Sequence, residues 1–291
     1  MVKFKQKNIL GTFILDNQYN VLFEGAKAEE FTTNVTEPDI SKAILPFKNR
    51  QYFKDFRQKN IELTKSQVKS SVSDDQLIIQ SSSAIDDTKK SINTLAKRLR
   101  EWYGLYLPEL KTEDHHHFTD LVLEKSKKDI LAYLKKTDSM GADLDKSDLT
   151  PIFDLAKQIS SLFQFISFQE TYLQTLMERH CRNVATIATP LVGAKLLHQA
   201  GSLKHLSEFP SSTIQLLGAE EALFRHLKTG ANSPKYGFLH EHPLVLKSKA
   251  SMRGKVARAV ADKIAIAAKV DYFKGEYIAD KIKDKLEKRF G

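Results

Sequence analysis

The feature that most constrains this chain is an apolar repeat of seven residues in its central third. Two positions of the repeat recur through five heptads after Pro151, with few polar lapses. Such a repeat buries one narrow face of a long helix and is typical of coiled coils. The first position holds Ile152, Ile159, Ile166, Leu173, His180 and Ile187, and the second holds Leu155, Leu162, Gln169, Leu176 and Asn183.

The same spacing occurs earlier in the chain and predicts a second long helix between Asp74 and about Pro108. Asp74-Asp75 is suitable for capping its start. The first position of this repeat holds Ile78, Ile85, Ile92, Leu99 and Tyr106, and the second holds Ser81, Thr88, Leu95 and Trp102.

Two packing arrangements of the later helix remain open from the sequence. One is an antiparallel hairpin within the chain, with the segment from Phe118 to about Lys136 as the partner across a turn near Met140-Gly141. The other is a dimer-forming coiled coil, in which the paired residues are Ile159, Leu162, Ile166, Leu173 and Leu176. Polar Gln169, His180 and Asn183 weaken the apolar seam but can fix its register and partner.

The flanking segments complete a prediction of a mainly α chain with three parts. Residues 8–25 predict a hairpin, because β-prone runs flank turn formers at Asp16–Asn20. The C-terminal third is helical, with long helices at Arg253–Val270 and Ile278–Phe290. We predict a small α/β domain at 1–85, a central antiparallel helical hairpin or coiled-coil region at 86–189, and an all-α domain at 190–291.

The positive charge of the chain is concentrated in its last third. Residues 190–291 hold 18 Lys and Arg against 10 Asp and Glu, a net charge of +8, whereas residues 1–189 have a net charge of only +1. A clustered positive field favours binding to a phosphate-rich partner. The location of the charge therefore predicts that the C-terminal domain binds nucleic acid.

Several other classes of function are disfavoured by the sequence. The glycines are too dispersed for a nucleotide-binding loop, so we expect no cofactor on this chain. His115-His116-His117 and His240-Glu-His242 lack standard metal-ligand spacing, so we expect no metal. Cys181 and His180 are adjacent on a helix and would face different directions, so no catalytic residue is predicted. With no apolar leader and no long apolar run, we expect a soluble intracellular protein without a membrane segment.

The strongest candidate site is a basic helix followed by a loop, at residues 217–237. Glu221, Arg225 and Lys228 share one helix face by spacing, while Leu223 and Leu227 are expected to turn toward the core. Intrahelical pairing of Glu221 with Arg225 on a solvated face is the alternative interpretation. The predicted RNA-binding residues are Arg225, Lys228, Gly230, Asn232, Pro234, Lys235, Gly237, Arg253, Lys255 and Arg258.

Three motifs resemble the Nop family of box C/D small ribonucleoprotein scaffold proteins. They are the stretch from Gly218 to Gly237 together with Arg253-Gly-Lys-Val-Ala-Arg258, the run Arg100-Glu-Trp-Tyr-Gly-Leu-Tyr-Leu-Pro-Glu-Leu110, and the segment from Ala188 to Leu197. One position departs from the family pattern, because Glu221 stands where Lys is usual. A carboxylate beside Arg225 would repel phosphate.

The resemblance implies a scaffold rather than an enzyme. In this family the N-terminal domain holds the methyltransferase fibrillarin, a coiled coil pairs two copies, and the Nop domain binds a kink-turn guide RNA together with a small ribosomal-type kink-turn protein. The assembly carries out guided 2′-O-methylation, with S-adenosylmethionine on fibrillarin. For this chain Phe13, Leu22 and Phe23 are candidate fibrillarin contacts, although each could instead belong to the domain's core.

Two alternatives to this function stay open, together with the cellular location. A spliceosomal-type Nop protein would bind kink-turn RNA without docking a methyltransferase, and a standalone RNA-modifying enzyme belongs to another class. The end of the sequence at Gly291 without a Lys/Glu-rich tail favours an archaeal, cytoplasmic form; a eukaryotic form would be nucleolar.

Overall fold

A computed structural model describes residues 3–25, 35–36 and 38–290 of the chain, and these fall into two compact units, 1–73 and 74–291. The predicted boundary at residue 85 lies inside a helix that runs unbroken from Asp74 to Tyr106. The fold class predicted from the sequence is confirmed, since the second unit is helical and the first combines helices with a small sheet.

The first unit is built on a sheet in the order β3-β2-β1-β4. Strands β1 (Lys3–Asn8), β2 (Gly11–Leu15) and β3 (Val21–Glu24) are antiparallel, and the two-residue β4 (Val35–Thr36) is parallel to β1. The predicted hairpin is β2 and β3. Asp16 closes its turn by accepting hydrogen bonds from the backbone of Asn20 and Gln18, and the hydrogen bonds from Asn20 contribute most to lowering the pKa of its carboxyl group.

In the described part of the first unit the sheet is followed by two α-helices, α1 (Ile40–Ala43) and α2 (Phe53–Ser71). The core of the unit is small and aromatic: Phe13 packs edge-on against Phe47 at 4.6 Å between ring centroids and against Tyr52 at 6.2 Å. Phe13 is only 4% exposed, so it belongs to the core and not to a docking surface. Leu22 and Phe23 are exposed at 43% and 38%.

The second unit begins with a long antiparallel pair, α3 (Asp74–Tyr106) and α6 (Lys146–His180), joined through α4 (His115–Glu124) and α5 (Lys127–Tyr133). Cross-contacts set the antiparallel direction: Arg179 pairs with Asp74, and the hydroxyl of Ser81 donates to Gln169 at 3.1 Å. The side-chain oxygen of Gln169 on the seam therefore has a hydrogen-bond partner on the opposite helix, as expected of a residue that sets the register.

The prediction that residues 118–136 are the main packing partner of α6 is wrong. That segment is broken into α4 and α5, because Ser126 and Asp129 form a capping box that begins a new helix. Neither piece can match a helix of 35 residues in length. The apolar residues of α3, among them Ile92 and Leu99, supply the long complementary face instead.

The rest of the unit is a compact helical layer on the end of this pair. It comprises α7 (Arg182–Ala188), α8 (Pro190–Ala200), α9 (Leu203–Glu208), α10 (Ser211–Leu216), α11 (Glu220–Thr229), α12 (Pro243–Lys247), α13 (Arg253–Tyr272) and α14 (Ala279–Phe290). Asp271 near the end of α13 accepts hydrogen bonds from the backbone of Asn183 and Val184, and so caps the start of α7. Among the described residues, no helix is long and apolar enough to cross a membrane.

Candidate nucleic-acid interface

The predicted site is a protruding arm, residues 218–237, whose two ends meet at a narrow neck. Backbone N–H groups of Gly237 and Phe238 donate to the carbonyls of Gln215 and Leu217 at 2.9 and 2.8 Å. A Cβ at Gly237 would lie 1.8 Å from the carbonyl oxygen of Leu217. Gly218 has φ +85°, and a Cβ there would lie 2.7 Å from the ring of Phe238. The close approach of the two ends therefore requires glycine at both positions.

Helix α11 is the outer part of the arm, and it buries none of its residues. Arg225 and Lys228 are exposed, as predicted. The prediction that Leu223 and Leu227 turn toward the core is wrong for Leu227, which is 70% exposed, while Leu223 is half-buried. Phe224, one turn before Lys228, is also 61% exposed. The helix thus carries large apolar and cationic side chains together on its free surface.

Glu221 lies in the first turn of α11, where a carboxylate is favoured by the helix dipole. Neighbouring Glu220 accepts a hydrogen bond from the backbone of Gly218 at 2.8 Å. Within the described structure no ion pair joins Glu221 to Arg225, and both side chains are exposed. The exposed Arg225 head group remains available to an anionic partner.

The loop of the arm is held against the start of α13. Gly230 ends α11 in the left-handed region at φ +69°, and the ring of His226 hydrogen-bonds the carbonyl of Ala231. The side chain of Gln215 donates to the carbonyl of Lys235 at 2.6 Å. A Cβ built on Gly254 would lie 3.5 Å from the Cβ of Lys235, so the loop backs directly onto α13.

The other predicted residues of the site lie around this contact. Asn232 is exposed and Pro234 half-buried in the loop. Arg253 lines a pocket of about 320 Å³ beside the neck, which it shares with Tyr236 and Glu241. Lys255 and Arg258 are exposed on α13, but in the described chain no hydrogen bond or ion pair joins them to the arm. The structure thus brings Lys235, Gly237 and Arg253 together and leaves Lys255 and Arg258 on the adjoining helix.

The residues predicted to mediate dimerisation are largely buried within a single copy of the chain. Their side chains pack in the core that α6 forms with α3 and neighbouring helices, where all but the half-buried Leu162 are at most 8% exposed: Ile159, Leu162, Ile166, Leu173 and Leu176. The intrachain hairpin accounts for their burial without a second copy. A different face of α6 is exposed and aromatic, with Phe165 at 41%, Phe168 at 68% and Tyr172 at 41%.

Sequence reasoning missed a nearly buried cation behind the neck. The ammonium of Lys195 on α8 donates to both carboxylate oxygens of Glu241 at 2.7 and 2.8 Å and lies 3.6 Å from a carboxylate oxygen of Asp86 on α3. Its side chain is only 11% exposed. A single Lys in the otherwise apolar first turns of α8 is the signal that could have identified it, since a buried Lys needs a carboxylate partner.

The histidines and the cysteine have structural partners. His116 pairs with Asp120 at 2.8 Å, and buried His242 bonds the carbonyl of Ile187 at 2.9 Å, with desolvation lowering its pKa. Burial strongly raises the pKa of the Cys181 thiol, which keeps it protonated and poorly nucleophilic. Among the described residues, no group of three or more His, Cys, Asp or Glu could hold a metal ion.

Comparison with known proteins places this arrangement in a family. Residues 84–291 match the family described as "Nop: snoRNA binding domain, fibrillarin". A NOP5 family protein of Methanocaldococcus jannaschii is 41% identical over 273 residues, covering 86% of this chain and 65% of that protein. Nucleolar protein 56 of Caenorhabditis elegans is 35% identical over 245 residues, covering 73% of this chain and 50% of the relative.

Human nucleolar protein 56 is 32% identical over 241 residues, which cover 74% of this chain and 40% of the human protein. The chain thus spans between 40% and 65% of the length of these three relatives. Among solved structures, a chain of the crystal structure of a fibrillarin/Nop5p complex matches with a TM-score of 0.48 and 22% identity, over 98% of both chains.

Proposed function

Because this chain belongs to the Nop family, we propose that it is the non-catalytic scaffold of a box C/D guide ribonucleoprotein. Its C-terminal arm binds a kink-turn guide RNA together with a small ribosomal-type kink-turn protein. Its N-terminal unit positions fibrillarin, which carries S-adenosylmethionine and performs 2′-O-methylation. The archaeal relative supports an archaeal, cytoplasmic setting for this particle.

The observation that carries the proposal is the mixed surface of α11. Exposed Arg225 and Lys228 supply charge for phosphates, while Phe224 and Leu227 expose apolar area that phosphate binding does not use. Apolar side chains of this size on a free helix are typical of protein interfaces. A surface of both kinds fits a partner that is itself a complex of RNA and protein.

The arm also has the geometry that recognition of a preformed complex needs. Its neck is fixed by the bonds of Gly237 and Phe238 to the chain before α11, and its loop is backed by α13. A binding element held in place loses little conformational entropy on association. Lys235 and Arg253 lie beside the neck and extend the cationic surface from α11 toward α13.

The first unit supports docking of a protein partner through exposed apolar residues. Leu22 and Phe23 are exposed on the edge strand β3, and α2 has no buried residue, with Phe53 at 56% and Phe56 at 47% exposure. We assign fibrillarin to this unit. The presence of the sheet-bearing unit favours this function over a spliceosomal-type protein that does not dock a methyltransferase.

Self-association is part of the proposal, but through a different surface from the one predicted. The heptad residues are already used within the chain, so the exposed stripe of Phe165, Phe168 and Tyr172 on α6 is the surface we assign to a second copy. The three residues share one face of the helix by their spacing. Aromatic residues of this kind contribute strongly to interface stability.

Reconstitution tests the central proposal. A labelled kink-turn stem-loop RNA is titrated with the chain, in the presence and absence of the small kink-turn protein, and the protein is also tested without RNA. We expect tight binding only to the complex of the two. Binding of equal strength to either component alone would contradict composite recognition.

The same reconstitution separates the scaffold from the rival enzyme. Fibrillarin, a guide RNA with its substrate strand and S-adenosylmethionine are added in turn, and methyl transfer to the substrate is followed. We expect transfer only with fibrillarin present. Methyl transfer or RNA cleavage by the purified chain alone would show that it is an enzyme, and failure to retain fibrillarin would favour the spliceosomal-type alternative.

A further inference from the structure

We propose that Lys195 is a positioning residue that sets the orientation of the arm relative to the long α3–α6 pair. The inference rests on the proposed function for its consequence in RNA binding, but its geometric claim concerns the free protein. Lys195 touches no part of the exposed surface of the arm. It acts through Glu241 and Phe238, which follow the arm directly in the chain.

The connection from the helical pair to the arm passes through four contacts. Asp86 on α3 lies 3.6 Å from the ammonium of Lys195, which donates to both oxygens of Glu241. The same ammonium lies 6.0 Å from the centroid of the Phe238 ring, a distance typical of a cation–π contact. That ring covers Gly218, at the other end of the neck.

The charges of this cluster restrain the relative positions of Lys195, Glu241 and Asp86. Lys195 is 11% exposed, while Glu241 and Asp86 are 31% and 35% exposed, so the ammonium is the most desolvated of the three groups. A desolvated cation is stable only when its carboxylates stay in contact. Displacement of Glu241 by a few ångström would leave the ammonium without its best partner, which restrains the segment that begins at the neck.

The other attachments of the arm join its two ends and back its loop onto α13, and within the described structure none of them reaches α3. Backbone bonds tie Gly237 and Phe238 to residues 215 and 217, and these belong to the chain that leads into the arm. They close the neck but do not connect it to α3. The Lys195 cluster supplies an attachment to the helical pair that is separate from this closure.

A distance measurement in the free protein tests the geometric claim. Spin labels are placed on Asn93→Cys in α3 and Ser233→Cys in the loop of the arm, both exposed; the native Cys181 is buried and does not compete for label. Lys195→Met removes the charge at similar length. We expect a broader or shifted distance distribution in this variant and recovery with Lys195→Arg, which can hold both carboxylate oxygens of Glu241.

Matched variants keep the test decisive. Lys204→Met removes the same charge from an exposed site on α9 and should leave the distribution as in the wild type. Should Lys195→Met fail to fold, Glu241→Gln replaces it and carries the same expectation of a broader or shifted distribution. A Lys195→Met or Glu241→Gln distribution identical to that of the wild type would overturn the proposal.

RNA binding supplies the second readout. Lys195→Met should weaken binding to the kink-turn RNA and protein complex by a factor between about 2 and about 30, the range for residues that shift a conformational equilibrium. The slope of log K against log salt should stay unchanged, because the number of neutralised phosphates is the same. A slope lowered by about one with an unaltered label distance would make Lys195 a phosphate contact and overturn the proposal.

The two readouts also separate this inference from the proposed function. If the wild-type chain binds no kink-turn complex, the proposed function fails while the label distances still decide the role of Lys195. If the wild type binds and the Lys195→Met distances are unchanged, the proposed function stands and the inference fails.

Discussion

At the residue scale, the shape of the arm depends on two positions, Gly218 and Gly237, that have no side chain. A Cβ on Gly237 would collide with the backbone of Leu217, and a Cβ on Gly218 would collide with the ring of Phe238. The sequence contains both glycines, but their role depends on residues 215–217, which carry no pattern that marks them as a neighbour. Composition predicted the charge of this site, whereas its geometry required the structure.

Changing Gly237 to Ala should disrupt the neck. The new Cβ would fall 1.8 Å from a backbone oxygen that cannot rotate away, so the chain must shift, at a cost of about 2 kcal/mol or more in unfolding free energy. Urea denaturation measures this cost. Gly104→Ala on α3 is the matched control, because a Cβ there meets no atom within 4 Å and should be neutral or stabilising by about 0.5–1 kcal/mol. Equal stability of the two variants would contradict the role assigned to Gly237.

Arg225→Ala should remove one phosphate contact from the interface. The side chain is exposed and outside any intrahelical ion pair, so protein stability should change by less than about 0.5 kcal/mol. Affinity for the kink-turn complex should fall, and the slope of log K against log salt should decrease by about one. Titrations at several salt concentrations measure both quantities; unchanged slope and affinity would exclude Arg225 from the interface.

At the scale of the elements, periodicity predicted the two long helices well and their partners poorly. Ile78, Ile85 and Ile159 are fully buried, as the heptads required. The spacing did not show that α3 packs on α6, because an apolar stripe indicates that a helix is covered but not by which helix. The same limit explains Leu227: the pattern marked an apolar face on α11, but among the described residues no core covers that side chain, which is 70% exposed.

The exposed apolar face of α11 should act in binding and not in folding. Phe224→Ser with Leu227→Ser removes two side chains that are 61% and 70% exposed, so the midpoint of thermal unfolding should hardly change. Affinity for the RNA and protein complex should fall by at least about tenfold, as for apolar side chains buried at an interface. Because the charges remain, the salt slope should be retained. A large loss of stability would instead assign the pair to the core.

The junction between α6 and α7 should respond to pH through His180. Nε2 of this residue lies 2.6 Å from Asp75, and this hydrogen bond raises the pKa of His180 above 6.5 against the opposing effect of burial. The nearby carboxylates of Asp74 and Asp271 act in the same direction. The stabilisation is therefore fully present below about pH 6 and is lost as pH rises through the folded-state pKa.

His180→Gln should remove this dependence. Compared with the variant, the wild type should be more stable by about 1–2 kcal/mol near pH 6, with a smaller difference near pH 9. Urea unfolding of both proteins at each pH gives the comparison. Subtracting the variant cancels the contribution of His242, whose lowered pKa acts in the opposite sense. A difference that grows with pH would contradict the pairing of His180 with Asp75.

At the scale of the whole molecule, the positive charge and the exposed aromatic surface of α6 lie in different regions of the chain. The last third carries nearly all of the net positive charge, and the arm lies within it. The exposed aromatic residues of α6 lie outside that region, on a helix whose other face packs against α3 and neighbouring helices. A molecule that packs its seam internally and still exposes a second apolar face has a surface left for another chain.

The self-association that we assign to this face can be tested by one substitution. Phe168 is 68% exposed, so Phe168→Asp should not disturb folding, but it should place a charge in the centre of the stripe and dissociate the dimer. Sedimentation at micromolar concentration should show a dimer for the wild type and a monomer for this variant. Ser167→Asp adds the same charge on the neighbouring, exposed position of α6 and should leave the dimer intact. A wild type that is strictly monomeric, or a Phe168→Asp variant that still pairs, would remove the stripe as the contact between copies.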